Sequence, residues 1–571
     1  MKKIYIAWMA LLCAGAGLFA QERVVERTWL STDRDVYVAG EPVWYSAFCI
    51  DASRGTFSPV SSVAYVELHS AAGMAATSKV ALENGRGAGR LQLPGTLPTG
   101  NYRLVVYTVQ NRDEVDYDFS GIASKTISVF NVFANDRVEA GVEVVEPAVY
   151  EGLRERRSLA GNSALTNAGG ASLDVSWQNG ELTVVNRGDQ PATFSLSVAH
   201  DDGFLSNGNP GIGDFLSESG RLGPRAFRNE LAPEFEGEVI HGKVTGFSEA
   251  MIPNLIGKFA FISTPTDKSD VYAAPIREDG SVVFYTGNIY GDKDCVCEIE
   301  GIDPSLNCHI ELASPFVNAQ VPAPAPLVIS PVLEEALKAR SVGMQVERRF
   351  TADTMYEFLP VRENGLFDDD VVIRYVLDDY TRFPTMAEDF IEFMPEIRAR
   401  HDADGHRDIR VLLQEDYSGQ TFSSEKTLML LDGVPVFDQE KIMQYDPLLV
   451  ESVNIYPHTH FIGSRVFAGV VNFITYKRNL PSFTFDNNAR IVNWQGESYP
   501  MAYTCEMVEA GGGYPDYRQT IYWHPLLELG AGESMTIRCK LPDYKGSFDV
   551  WAEGMTRDGK PACGTVSFTI Q

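Results

Sequence analysis

Five groups of residues carry side chains able to do chemistry. Asp368, Asp369 and Asp370, with Asp378 and Asp379, form an acidic patch of the kind that holds Ca2+ through carboxylate oxygens. Asp402-Ala403-Asp404-Gly405 reads as the opening of a calcium loop, but such a loop closes on a bidentate acid at its twelfth position, and counted from Asp402 that position is Leu413. The segment therefore reads as a turn. His458 and His460 share one side of an extended segment, as do Cys295 and Cys297, yet neither pair has a further ligand at metal spacing. Asp432 and Asp446 become an acid–base pair only if the fold closes a cleft around both. No Gly-x-Ser-x-Gly, His-Glu-x-x-His or phosphate loop occurs in the chain. The sequence predicts no catalytic residue, no metal site and no cofactor, and it assigns Asp432 and Gly433 to a turn.

The elements that position these residues are short apolar runs: Leu428 to Val436, Val450 to Tyr456 and Phe467 to Lys477. Breaks at Asp-Gly, Pro and Gly make them three strands with turn punctuation. The run of Asp432, Gly433, Val434 and Pro435, then a helical spacer, then Glu451, Ser452 and Val453, then Gly469, Val470, Asn472 and Thr475 resembles the plug domain of TonB-dependent outer-membrane receptors. The resemblance implies an α+β unit over 331–478. Pro331 to Arg340, with acids early and bases late, reads as an amphipathic helix, Thr385 to Met394 as a second helix opened by a capping box of Thr385 and Glu388, and Ile409 to Leu413 as a strand, in the order such a unit has. In that family the plug sits inside a β-barrel of about 22 strands, roughly 200 strand residues. Only 571 − 477 = 94 residues follow Lys477, so transport by this chain alone is not expected.

The chain opens with Lys2 and Lys3, an apolar stretch from Ile4 to Phe19, and small-residue cleavage before Gln21, which predicts a signal peptide over 1–20. Leu12 before Cys13 argues against a lipobox. Over 21–134, the string Asp35-Val36-Tyr37-Val38-Ala39-Gly40-Glu41-Pro42-Val43-Trp44, with Gly100 to Leu104 later, resembles an alpha-2-macroglobulin-type macroglobulin domain. A covalent trap of that family needs a Cys-Gly-Glu-Gln thioester. Cys563-Gly564 continues Thr565-Val566 instead, so none is encoded. Alternating runs at Asp174 to Trp177, Glu181 to Val185 and Ala192 to Val198 predict a second sandwich over 135–230. The run Val239 to Val244 and the Asp279-Gly280 turn resemble the carboxypeptidase regulatory-like domain, a noncatalytic β-sandwich, over 236–316. A Pro-rich linker occupies 317–330. Short strands over 482–571 resemble a closing macroglobulin-like sandwich.

Charge bounds the partners. With the signal removed the net charge is (48 − 2) − 77 = −31, which excludes the clustered basic surface that nucleic acid or anionic lipid requires. The seven remaining cysteines are scattered and odd in number, so they form no small-domain disulfide framework; a bridge from Cys505 to Cys539 or Cys563 stays open. No later run reaches the ~18 apolar residues of a membrane span, which leaves peripheral attachment open. The expected fold is mainly β and multidomain, with several immunoglobulin-like or macroglobulin-like β-sandwiches plus one α+β plug-like domain. The expected function is a noncatalytic, exported protein-interaction component at the outer membrane or in the periplasm, with an envelope or outer-membrane protein as partner and the cell surface not excluded. Two alternatives stand beside it: a macroglobulin-like, protease-interacting periplasmic protein without a thioester, and an enzyme whose site is assembled across domains.

Overall fold

Period-two alternation of apolar side chains dominates this chain, and in the computed structural model it becomes a set of mostly antiparallel sheets. The structure describes residues 24–112, 122–155, 172–220, 231–246, 253–266, 270–303, 306–317, 321–350, 356–361, 365–367, 372–401, 407–415, 419–422, 425–503 and 516–571. The signal peptide, Asp368 to Asp370, the Asp402 to Gly405 loop and Cys505 lie outside the described residues. Two units divide the chain, one from Met1–Phe235, Asn318–Leu359 and Ser498–Gln571, the other from Glu236–Val317 and Pro360–Glu497. Among the described residues no helix is long and apolar enough to cross a membrane.

The first unit holds two sandwiches. In one, the strands Glu26–Thr32, Pro42–Asp51, Thr56–Phe57 and Arg86–Gln92 form a sheet that faces a second of Val36–Val38, Ser124–Phe130, Gly100–Tyr107, Val63–Ser70 and Gly73–Ala81. Tyr37, Val43, Tyr45, Leu68, Tyr102 and Ile127 fill the space between them. Gly40, at φ +94°, lets the chain cross from one sheet to the other. The crossing is closed by polar staples: Glu41 Oε2 accepts from Val38 N at 2.8 Å, and Asp33 Oδ1 accepts from Tyr37 OH at 2.8 Å and Trp44 N at 3.1 Å. The macroglobulin-like string thus builds a sheet-to-sheet corner.

The second sandwich corrects the domain boundaries. Its sheets are Leu173–Gln178, Glu181–Asn186 and Ser534–Arg538 against a six-stranded sheet ordered Tyr356–Phe358, Met501–Tyr503, Thr520–Leu529, Ala192–Asp201, Gly546–Thr556 and Pro561–Ile570. The segments 135–230 and 482–571, read from sequence as separate sandwiches, are two parts of one. The reason is pairing: Ala192–Asp201, whose first eight residues are buried, is flanked on both edges by strands of the terminal segment, Thr520–Leu529 and Gly546–Thr556. The helix Glu334–Phe350, expected inside the plug-like domain, also belongs to this unit. Arg340 ion-pairs with Asp202 and donates to Val36 O at 2.8 Å.

The second unit pairs a sandwich with an α+β layer. The sandwich sets Ser281–Tyr285, Val239–Thr245 and His309–Leu312 against Asp270–Pro275, Phe259–Thr264, Asp292–Ile299 and Arg490–Gln495. The last of these strands had been assigned to the terminal domain, but Trp494 is buried in this core and its Nε1 donates to Glu238 Oε2 at 2.9 Å. The α+β layer has a sheet ordered Ile373–Val376, Val450–Ile462, Arg465–Thr475, Leu428–Leu431 and Val434–Pro435. The helices Met386–Phe393 and Gln439–Met443 pack on one face through Met386, Phe390, Ile442 and Met443. Its other face meets the sandwich through Leu430, Tyr456 and Val470 against Phe261 and Val271. Thr385 begins its helix without a side-chain cap, so the capping box read from Thr385 and Glu388 does not form.

Glu298, on the strand Asp292–Ile299, is 8% exposed. Burial, aided by Asp486 and opposed by Lys441, pushes its carboxyl from the ordinary 4.5 up to about 8. The fold prefers this group protonated, so its contribution to stability is complete below about pH 4.5 and is lost as pH rises toward 8. Glu298→Gln is therefore expected to melt higher than the native protein at pH 8.5, with the gap closing as pH falls to 4.5. Thermal melts across that range check it, and a gap that widens toward acid pH would contradict the assignment.

Candidate functional site

Leu431 and Val434 pair across a two-residue turn in which Asp432 has φ +48° and Gly433 φ +81°. Both signs match the tight hairpin that Asp-Gly favours. The turn is not at the surface. Asp432 is fully buried, and its carboxylate collects three donors: Oδ1 accepts from Thr475 N at 2.7 Å, and Oδ2 from Thr475 Oγ1 at 2.7 Å and Leu480 N at 2.9 Å. Gly433 N donates to Asn472 Oδ1 at 3.1 Å, and Thr475 Oγ1 accepts from Arg478 N at 3.0 Å. Four motif residues, Asp432, Gly433, Asn472 and Thr475, therefore form one buried polar knot. It ties the parallel pair Leu428–Leu431 and Arg465–Thr475 to the chain beyond, where Arg478 and Leu480 also take positive φ.

The remaining motif residues surround the knot with different roles. Val453 enters the helix-side core and Val470 the opposite one, while Glu451 Oε2 accepts from Arg478 Nη2 at 2.8 Å. Ser452 is fully buried on the strand Val450–Ile462. Pro435 pairs with Leu430 at the outer edge of the sheet, where its missing N–H costs no ladder bond. Gly469, at φ +82°, faces Pro457 and His458, two residues against one, which is a β-bulge and explains how a proline is accommodated in a long strand. A Cβ on Gly469 would meet Val411 Cβ at 2.8 Å. Gly469→Ala should cost about 2–3 kcal/mol, from left-handed strain plus overpacking. Urea denaturation followed at this unit measures it; a loss below about 0.5 kcal/mol would mean the bulge is not fixed.

The other sequence candidates do not converge. Asp446 is exposed and accepts from Leu448 N at 2.9 Å, capping a short turn, so Asp432 and Asp446 share no cleft. His460 Nδ1 bonds the carbonyl of His458 at 2.7 Å, and its ring lies edge-on to Phe367. Cys295, Cys297 and Cys308 are buried in a sandwich core. Cys539 and Cys563 belong to different apolar clusters. Asp378 accepts from Arg382 and Tyr476, each at 2.6 Å. Among the described residues no three His, Cys, Asp or Glu side chains are placed to hold a metal ion.

No protein-family model and no curated protein matches the chain. Solved structures do. It is similar to a Salmonella alpha-2-macroglobulin reacted with methylamine, at 9% identity and TM-score 0.23 over 97% of this chain and 40% of that one. It is similar to trypsin-activated Escherichia coli alpha-2-macroglobulin, at 9% identity and TM-score 0.23 over 95% of this chain and 41% of that one. A tandem-repeat region of a large adhesion protein matches at 8% identity and TM-score 0.12, over 96% of this chain and 99% of that one. The chain thus spans about 40% of the length of the macroglobulins it matches.

Two features of the first unit escaped sequence reasoning. One is a buried ionic cluster: Asp33 accepts from Thr520 Oγ1 at 2.7 Å, Arg34 pairs with Glu41 at 3.1 Å, and Arg518 forks onto Asp516 at 2.9 and 2.8 Å. Burial, reinforced by Glu41, pushes the nearby Glu347 carboxyl up to about 8. Its two halves, joined by Asp33 and Thr520, lie 487 residues apart in sequence, and no local spacing marks their meeting.

The other is the outer strand Pro561–Ile570 of the six-stranded sheet. It holds ten consecutive register pairs with Gly546–Thr556 and no bulge. From Ala562 to Ile570 it carries no charged residue, and its only proline is Pro561 at the start. Phe568 stacks on Trp177 of the facing sheet with ring centroids 3.8 Å apart, which holds the strand flat, while Thr565, Ser567 and Thr569 point to the open face and are exposed. The sequence showed the strand; that it lies at an edge depends on long-range pairing.

Proposed function

We propose that this protein is a noncatalytic, exported cell-envelope component that recruits a protein partner, foremost an outer-membrane barrel or receptor, by β-strand addition in the periplasm or at the outer membrane. The supporting observation is the Pro561–Ile570 edge. Soluble proteins blunt long edge strands with charges, prolines, bulges or a covering element, because an open row of backbone N–H and C=O groups templates pairing with another chain. This edge has none of the first three devices after Pro561. Strand addition takes affinity from main-chain hydrogen bonds and specificity from alternate side chains. Here those side chains are Thr565, Ser567 and Thr569 on the exposed face. Export rests on Lys2, Lys3 and the apolar stretch that follows. The noncatalytic reading rests on the Asp432 carboxylate, which holds backbone amides.

The test is affinity purification of the tagged, signal-processed protein from crosslinked envelope fractions, with partners identified by mass spectrometry. Stoichiometric recovery of an outer-membrane protein supports the proposal. Recovery of the protein alone, soluble in the periplasm, overturns it.

A further inference from the structure

The first unit contains a recess of about 140 Å3 whose walls include Trp29, Phe215, Lys125, Asn209, Glu218 and Glu553. Trp29 and Phe215 belong to one buried apolar cluster and give the recess an aromatic lining. Glu553 reaches it from the strand Gly546–Thr556; its Oε1 accepts from Ile212 N at 2.8 Å, at the start of the helix Ile212–Ser219, and its Oε2 has no partner among the described residues. Lys125 is the cation among the described residues of the lining, and its charge is already offset by Asp35 Oδ1 at 2.9 Å. Asp214 and Glu218 stand exposed on the helix. The groups that act on Glu553 are Lys125 and the Ile212 amide, which favour its charge, and Asp35 and Asp214, which oppose it. Cys563 lies opposite it on the neighbouring strand. Asn209 is not available to a ligand, since it accepts from Thr126 N and donates to Thr126 O.

We propose that this recess binds a primary ammonium on a short unbranched apolar chain, the ammonium at Glu553 Oε2 and the chain against Trp29 and Phe215. Three arguments select this class. Among the described residues the carboxylates outnumber the one paired lysine, which disfavours an anion. An aromatic pair beside a carboxylate suits a cation with an apolar tail, and an uncharged apolar ligand would leave Glu553 further desolvated. The volume approaches the ~150 Å3 that admits a benzene-sized molecule, which takes a four-carbon amine and rejects a nucleotide or a long polyamine. Such a cation reaches the site either as a free small amine or as a lysine side chain of a protein. Glu553 is pushed by burial up to about 7, so it is charged and able to pair above that pH and neutral below it.

The probes are n-butylammonium, n-butanol, butyrate and Nα-acetyl-lysine methylamide, measured by saturation-transfer NMR on the signal-processed full chain. n-Butylammonium is expected to bind at pH 8.5 and about tenfold more weakly at pH 5.5, with n-butanol and butyrate far weaker at both. Glu553→Gln keeps an oxygen for Ile212 N, and it should bind about tenfold more weakly at pH 8.5 and lose the pH dependence. Glu218→Gln, at an exposed position that carries no folding risk, should weaken binding about two- to threefold. Binding of the lysine derivative at least as tight as that of n-butylammonium assigns the site to a protein side chain; preference for n-butylammonium assigns it to a small amine. Equal binding of n-butanol, or unchanged affinity in a folded Glu553→Gln, overturns the proposal.

Discussion

Replacing Asp432 by alanine should destabilise the α+β layer by at least about 4 kcal/mol, the largest loss expected from a single substitution in the motif. The reason is the asymmetry of buried hydrogen bonding. Alanine removes an acceptor shared by Thr475 N, Thr475 Oγ1 and Leu480 N. Each stranded donor then costs about 1–3 kcal/mol, because water has no access to a fully buried site. A left-handed φ at a residue that has lost its local hydrogen bonds adds to the loss. Asp432→Asn should fall between, since its carbonyl still serves Thr475 N while its amide opposes the Leu480 N–H. Hydrogen exchange of the Phe473 and Thr475 amides reads the effect where it occurs, separately from the other unit. A loss of less than about 1 kcal/mol in Asp432→Ala would mean that the carboxylate does not organise the sheet. That result would return Asp432 to the list of groups with a role other than structure.

Local chemistry made this knot half legible. Asp-Gly between apolar runs announced the turn, because only residues tolerant of positive φ fit there. Nothing local announced that the turn is buried or that Thr475 and Leu480 close on it, since those partners come from beyond a parallel pairing. The same division runs through the whole fold. The strands Val450–Ile462 and Arg465–Thr475 were visible as apolar runs, while the bulge that reconciles Pro457 with a strand required the pairing to Gly469. The second sandwich was misread for the same reason. Ala192–Asp201 and Gly546–Thr556 are neighbours in one sheet, yet the chain between them passes through the other unit. Hydrophobic periodicity identifies a strand and its buried face but not its neighbour. Charge was least legible: Glu298, Glu347 and Glu553 lie in ordinary-looking segments, and their shifts come from burial.

The Pro561–Ile570 edge leads to the second large effect. Thr565→Lys combined with Thr569→Lys should cut recovery of the envelope partner by about tenfold or more while leaving the melting temperature within about 2 °C of native. Both threonines are exposed, so lysine displaces no core side chain, and the contacts that hold the strand, Phe568 on Trp177 and on Phe548, are untouched. What changes is the approach to the edge. Two flexible cations flanking Ser567 make docking of another strand costly, which is how soluble proteins guard such edges. A second variant separates edge pairing from charge alone: Thr565→Glu with Thr569→Glu adds charge of the sign the protein already carries in excess, and it should block recovery as well. Loss in both pairs assigns recruitment to main-chain pairing at this strand. Loss only with lysine would indicate a charge effect on a partner bound elsewhere, and full recovery with both would remove the edge from the recruiting surface.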